Sequence, residues 1–314
     1  VLGLLVGSFL NVVIYRVPIM LNREWRAQCA ELAAEDAAVQ ACTTPAAAEQ
    51  AAGTAAAADA SRTAPPPPGP RADKFTLVVP RSACPACGRQ ILAIENVPVI
   101  SWLFLRGRCA GCGVAISWRY PAVELLTGLM SAAVAWKLGL GWPVVGGLVF
   151  TWFLIALTFI DLDTQLLPDN MTLPLLWLGI FASLILPSLG AHPTPGESLP
   201  ATLRDSVIGA IAGYLSLWLV YHAFRLATGK EGMGYGDFKL LAAIGAWLGW
   251  QMLLPTILVS AAVGAVVGIV ILAVRKQDRS VPIAFGPFLA IAGWIMLMFG
   301  PEIVSRYLRL FPSG

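Results

Sequence analysis

Asp161 and Asp237 stand where long uncharged stretches meet polar sequence. Asp161 follows the uncharged run Trp142 to Ile160 and opens Asp161-Leu-Asp163-Thr-Gln-Leu-Leu-Pro168-Asp169, while Asp237 closes Gly234-Tyr235-Gly236-Asp237. A carboxylate at the edge of hydrocarbon is costly, which makes both residues functional candidates. Two such groups side by side cannot both ionise. One keeps a proton, the other acts as general base on a water, and the pair titrates as a unit. That is the chemistry of aspartyl peptide hydrolysis. Gly234 and Gly236 allow positive φ and close backbone approach, so with Tyr235 they are candidates to position an extended substrate segment.

Neighbouring acids read differently. Asp169-Asn170 ahead of Met171 looks like a helix start, and Asp163 lies two residues from Asp161, on another helix face. Both are expected to cap or anchor. There are two histidines, His192 in a loop and His222 inside an apolar span, where it is expected to be packed or hydrogen-bonded. No Ser/His/Asp or Cys/His set can be drawn beside the aspartates. Gly232-Met-Gly-Tyr-Gly236 has no βαβ unit around it and is not a dinucleotide fingerprint.

Cys84-Pro-Ala-Cys87-Gly and Cys109-Ala-Gly-Cys112-Gly form a second constellation. Each Cys-x-x-Cys turn presents two thiolates, and two turns complete a tetrahedron, the spacing of a structural zinc site. Two disulfides are the competing reading, which a reducing compartment disfavours. A site closed by four sulfurs has no open position for catalysis. Cys29 and Cys42 show no evident partners.

The elements that must position these groups are membrane helices. Of 314 residues, 57% are hydrophobic and 12% charged, about half the charged share of a soluble domain. Spans are expected near 120–138, 142–160, 171–189, 206–224, 238–254, 255–274 and 282–299. Leu240 to Val274 is uncharged and too long for one crossing, so a split is placed at Leu254-Pro255. The opening apolar run reads as the tail of a first span whose start lies upstream, since it has neither the basic start nor the cleavage site of a signal peptide. The domain plan is then 1–15 (truncated first helix), 16–119 (polar loop with an Ala/Pro-rich insert at 27–72 and the four-cysteine zinc site at 84–112), 120–300 (seven-helix membrane domain) and 301–314 (tail). The insert is expected to form a loose helix and then an extended linker. Seventeen Lys/Arg fall on the side of the large loop and four on the other. The positive-inside rule puts the loop and both aspartates on the cytoplasmic face and both termini outside. The fold class expected is an all-α polytopic membrane protein of about eight transmembrane helices with a cytoplasmic zinc-knuckle loop.

Together these features resemble the type IV prepilin peptidases (leader peptidase/N-methyltransferases) of the Gly-x-Gly-Asp aspartyl protease class. The likeness runs through Gly7-Ser-Phe-Leu-Asn-Val-Val-Ile-Tyr-Arg-Val-Pro18, the four-cysteine loop, Glu95-Asn96-Val-Pro98, Arg119-Tyr-Pro-Ala-Val-Glu124, Asp161 to Asp169, Lys230 to Lys239 and Pro282-Ile-Ala-Phe-Gly-Pro287. The resemblance implies that Asp161 and Asp237 are the catalytic aspartates. It implies removal of a short basic leader from prepilins and pseudopilins after a glycine, at the cytoplasmic face of a bacterial inner membrane. It further implies methylation of the new N-terminal residue, usually Phe, with S-adenosylmethionine. The donor pocket is to be sought near Glu95 and Glu124. The partners expected are the precursors and the bilayer, with no nucleic acid. Two other readings stay open: a cleavage-only peptidase of other signal-bearing proteins, and a non-catalytic scaffold or transporter. Transporters place charge near the midplane at repeat interfaces, and no internal repeat is seen here.

Overall fold

The computed structural model describes residues 1–43, 75–92, 95, 97–186, 202–230, 232–275 and 284–310. The described chain is helical, without strands: α1 (Leu2–Thr43), α2 (Ile100–Phe104), α3 (Arg119–Leu138), α4 (Trp142–Thr164), α5 (Asp169–Ile185), α6 (Leu203–Thr228), α7 (Tyr235–Leu248), α8 (Leu253–Arg275) and α9 (Gly286–Leu310). Among the described residues, five stretches are long and apolar enough to cross a membrane: Leu2–Asp36, Trp142–Thr164, Leu203–Thr228, Trp250–Val270 and Gly286–Arg306. The chain is thus a multi-pass helical membrane protein. Of the eight spans expected, α3 carries Arg119, Glu124 and Lys137, while α5 and α7 are only 17 and 14 residues long.

Two compact units are present, Val1–Tyr15 with Ala83–Gly314, and Arg16–Ser82. The polar loop expected over 16–119 is therefore divided at Ser82, and the cysteine turns belong with the helical unit. In the smaller unit, the helix expected to end near residue 15 runs on to Thr43. Alanine, the best helix former, carries it past Arg26. The Arg16 guanidinium donates to the carbonyls of Thr76 (2.7 Å) and Pro80 (2.6 Å). Phe75 lies against Arg16 and Arg23, with 5.4 and 4.4 Å from guanidinium carbon to ring centre. Most of the Ala/Pro-rich insert, His192 and Pro282 lie outside the described residues.

In the larger unit the core is α7, packed against α5, α6 and α9. Every residue of α7 from Leu240 to Leu248 is buried, whichever way it faces. A helix apolar all round belongs inside a bundle. Its small residues let neighbours come close. Ser206, Gly209 and Gly213 form one stripe on α6. A Cβ on Gly209 would run into the Gly245 carbonyl of α7, and one on Gly213 would stand 2.7 Å from the Leu241 oxygen. Ser206 Oγ donates to the Ala246 carbonyl at 2.7 Å. This is the small-residue seam by which membrane helices associate when apolar burial offers little drive. On the α5 side Trp247 donates to the Leu175 carbonyl at 2.8 Å and packs on Phe150 of α4.

The split of the long uncharged stretch falls at Gly249, not at Leu254-Pro255. Gly249 has φ +85° and ends α7, a 3-10 turn follows over Trp250–Met252, and Pro255 sits in the first turn of α8. A first-turn proline loses no helical hydrogen bond, so it marks a start here rather than a stop. We expect Gly213→Val to wedge α6 from α7 and lower stability by at least about 2 kcal/mol, read as a fall in Tm of the detergent-purified protein. An unchanged Tm would show that the seam is not tightly packed.

Candidate active site and metal centre

The α4 helix runs one turn beyond the uncharged stretch, so Asp161 lies inside its last turn, only 4% exposed. Gln165, at φ +54°, closes the helix by donating its N–H to the Asp161 carbonyl at 2.8 Å. Asp237 occupies the first turn of α7 and is 7% exposed. Its N–H donates to the Gly234 carbonyl at 3.2 Å, and the Asp161 charge lies within electrostatic range. The side chain of Leu167 lies against the starts of α7 and α9. A Cβ on Gly236 would fall 2.7 Å from Leu167 Cβ, and one on Gly286 would fall 3.0 Å from Leu167 Cδ1.

Neither Gly234 nor Gly236 adopts the positive φ expected of it. Gly234 is extended (φ −81°, ψ 147°). Gly236 is instead required for space, because a side chain would strike Leu167. Tyr235 is half exposed at the rim, its ring 5.4 Å from Tyr221 and 5.5 Å from Phe238. Phe238 continues the aromatic run to Tyr214 at 5.9 Å. His222 is packed, as expected, against Trp218 and Tyr221.

The outlying acids form ion pairs. Asp163 accepts from both terminal nitrogens of Arg119 at 2.8 and 2.6 Å. Asp169 makes no cap of α5; its two oxygens accept from Lys239 at 2.6 and 2.7 Å. The Lys239 ammonium outcompetes the helix's own end for this carboxylate. The pairs tie α3 to α4 and α5 to α7 around the 165–168 loop. Among the described residues no ion pair reaches Asp161 or Asp237.

The two cysteine turns repeat one geometry. Cys84 N–H donates to the Arg89 carbonyl and Gly88 N–H to the Cys84 carbonyl, both at 2.9 Å; Cys109, Val114 and Gly113 repeat this at 2.9 Å. Gly88 and Gly113 take the left-handed φ, +69° and +71°, that the turns demand. The four sulfurs lie within 4.8 Å of one another, so they can hold a metal ion. Cys84 and Cys112 Sγ are 3.8 Å apart, about the edge of a tetrahedron with 2.3 Å metal–sulfur bonds. Backbone N–H groups of Cys87 and Ala86 pull the Cys84 thiol down from 9.0 to about 6. At Cys112 the Val114 N–H acts the same way, but burial and the three crowding sulfurs prevail and push it up to about 11. Four sulfurs so placed need a cation before all become thiolates.

Glu95 and Glu124, named for the donor pocket, are both engaged. Glu95 accepts from Arg89 at 2.8 Å and from the Leu92 N–H at 3.1 Å. Glu124, 8% exposed, accepts from the Val99 N–H at 2.7 Å. An open apolar cleft of about 340 Å³ lies beside Glu95, lined by Val97, Ile100, Ser101, Phe104 and Leu105.

Comparison with known proteins follows this layout. Residues 1–138 match the bacterial peptidase A24 N-terminal domain, and residues 148–269 the type IV leader peptidase family. The chain is 50% identical over 98% of its length to a prepilin leader peptidase/N-methyltransferase of Aeromonas salmonicida (strain A449), covering 91% of that protein. The chain belongs to the prepilin leader peptidase/N-methyltransferase family. Other members are comparably similar: that of Stutzerimonas stutzeri is 50% identical over 98% of this chain and 92% of its own, and that of Neisseria gonorrhoeae 46% over 94% and 87%. No solved structure matches significantly.

Sequence reasoning missed one neighbour of the acids. Gly286, the first residue of α9, meets the Asp161 carboxylate. Its signal was Phe285-Gly286-Pro287, a glycine and a helix-starting proline at the head of an apolar run.

For the cysteine site we expect Cys84→Ser with Cys87→Ser to reduce bound zinc from about one equivalent to near zero. Because protons compete with metal, affinity falls with falling pH. The fall steepens below about 6, where Cys84 also takes up a proton. Metal analysis after dialysis across about pH 5–8 reads both effects; full zinc content in the double variant would exclude this site.

Proposed function

We propose that this chain removes the leader from type IV prepilins and pseudopilins after a glycine, and methylates the new N-terminal residue. The single observation that carries the reading is that Asp161 on α4 and Asp237 on α7 are both buried, one within electrostatic reach of the other, with no ion pair to either among the described residues. Identity near one half to peptidase/N-methyltransferases over almost the whole chain supports it.

In the proposed reaction one carboxyl of the pair holds a proton and donates it toward the scissile carbonyl oxygen. The other accepts a proton from a water, which attacks the carbonyl carbon. As the bond to the amine breaks, the proton just gained passes to the leaving nitrogen, and the first carboxyl takes back a proton from a hydroxyl of the tetrahedral diol, which restores the pair. Tyr235, exposed at the rim, gives an apolar ring to the residues next to the cut.

The substrate carries its charged leader ahead of an apolar helix, so the bond lies where water meets hydrocarbon. Helix lengths suit that place. At 1.5 Å per residue α7 spans about 21 Å and α5 about 26 Å, short of a hydrocarbon layer of about 30 Å. Both begin at the acids' end, which leaves room for water and irregular backbone below the surface. We take the count of crossings as eight, with α1, α3, α5 and α7 joining the four other long helices. The acids then share the cytoplasmic face of a bacterial inner membrane, where Lys and Arg concentrate.

Cys84, Cys87, Cys109 and Cys112 would hold a zinc ion, which when bound braces the loop and, with four sulfurs, takes no part in the reaction. S-adenosylmethionine supplies the methyl group for the second activity, and the cleft beside Glu95 is the candidate for it.

Mass measurement of a processed precursor tests the reading. Wild type should yield loss of the leader plus one methyl. Asp161→Ala and Asp237→Ala should each cut leader removal by at least about 10⁴-fold while retaining helical content and zinc. Processing at near the normal rate by either variant would refute the assignment, and leader loss without methylation would favour the cleavage-only alternative.

A further inference from the structure

The Asp161 carboxylate is met from the far end of the sequence by the start of α9. Two features make the meeting specific. First, Gly286 opens α9, so the start of that helix lies directly on the carboxylate. Second, no side chain fits between them: a Cβ on Gly286 would stand 2.5 Å from Asp161 Oδ2 and 3.2 Å from Cγ. The first turn of α9 leaves little else to serve. Pro287 has no N–H. The N–H groups of Phe288 and Leu289 are spent on the Phe285 carbonyl at 3.1 and 3.2 Å. A backbone fixed against the carboxylate before the reaction begins needs no rearrangement during it.

We propose that Gly286 is a positioning residue for leader cleavage: its backbone holds the Asp161 carboxylate in one orientation, as the member of the pair that receives the proton of the attacking water. This rests on the aspartate pair proposed above. It assigns an asymmetry that the pair alone lacks. Asp161 is met from outside its own helix by the start of α9, whereas the Asp237 N–H donates to the carbonyl of Gly234, the cap of its own helix, at 3.2 Å. Asp237 is then the partner that delivers its proton to the carbonyl oxygen and regains one from the tetrahedral diol as the proton taken up by Asp161 leaves with the amine.

The test uses the full chain in detergent with an intact precursor. Gly286→Ala should lower kcat for leader removal by about 100-fold or more with KM within about threefold of wild type, and should leave methylation of a pre-cut pilin unchanged. Gly264→Ala serves as the packing control. Its Cβ would press on Phe288 of the same helix turn at 3.2 Å without reaching the carboxylate, and kcat should stay within about threefold of wild type. Where Gly286→Ala folds poorly, its loss of Tm should be recovered by about half or more on adding Asp161→Ala, which removes the oxygen that the new methyl strikes. Normal kcat in Gly286→Ala, equal loss in both glycine variants, or no recovery of Tm would each overturn the inference. Asp161→Asn runs alongside. An inactive Asp161→Asn beside a normal Gly286→Ala rejects Gly286 alone, whereas an active Asp161→Asn rejects the aspartate pair and the inference with it.

Discussion

Two carboxylates near one another at the edge of hydrocarbon repel as anions and are costly to bury, so whatever holds them must supply rigidity and dipoles without cancelling their charge. That constraint shapes the larger unit. Lys239 is two residues from Asp237, yet its ammonium goes to Asp169, and Arg119 goes to Asp163. The cations brace the surrounding loops and leave the buried acids beside the backbone of Gly234 and Gly286. A cation beside either acid would hold it ionised and remove the shared proton on which hydrolysis relies.

Rigidity comes from close backbone packing rather than from bulk. The Ser206, Gly209 and Gly213 stripe brings α6 against α7, and Leu217 and Tyr221 continue the same face toward Tyr235 and the acids. On α1, Gly7 does the same against α3, where a Cβ would stand 2.7 Å from the Glu124 Cα. Lipid tails are as apolar as leucine, so fit and hydrogen bonds must do what burial does in water. An acid on α7 is therefore placed by a seam that begins a full turn further along the helix and runs to its far end.

Much of this was readable in the residues. Four cysteines at Cys-x-x-Cys spacing carry their geometry in local turns, each closed by a glycine, Gly88 and Gly113, in the left-handed region. The aspartates were legible because charge is rare in such a chain. What escaped notice depends on distant partners or on helix ends inside uncharged sequence. Gly249 ends α7 in a stretch with no change of polarity, and Pro255 drew attention as a breaker although it begins a helix. Asp169 looks like a cap until Lys239, 70 residues on, is beside it. Gly286 lies far along the chain from the acid it touches, and no periodicity reports such a contact. The run of α1 beyond Arg16 was masked by polar residues, whose long side chains are nonetheless good helix formers.

The central claim is that Asp161 and Asp237 act on one water together. An experimental structure with a substrate-like peptide bearing a hydroxyl in place of the scissile carbonyl tests it most directly. The account requires that hydroxyl to lie within about 3 Å of one oxygen from each carboxyl. A hydroxyl bound to only one of them, with packed protein separating the other, would contradict it.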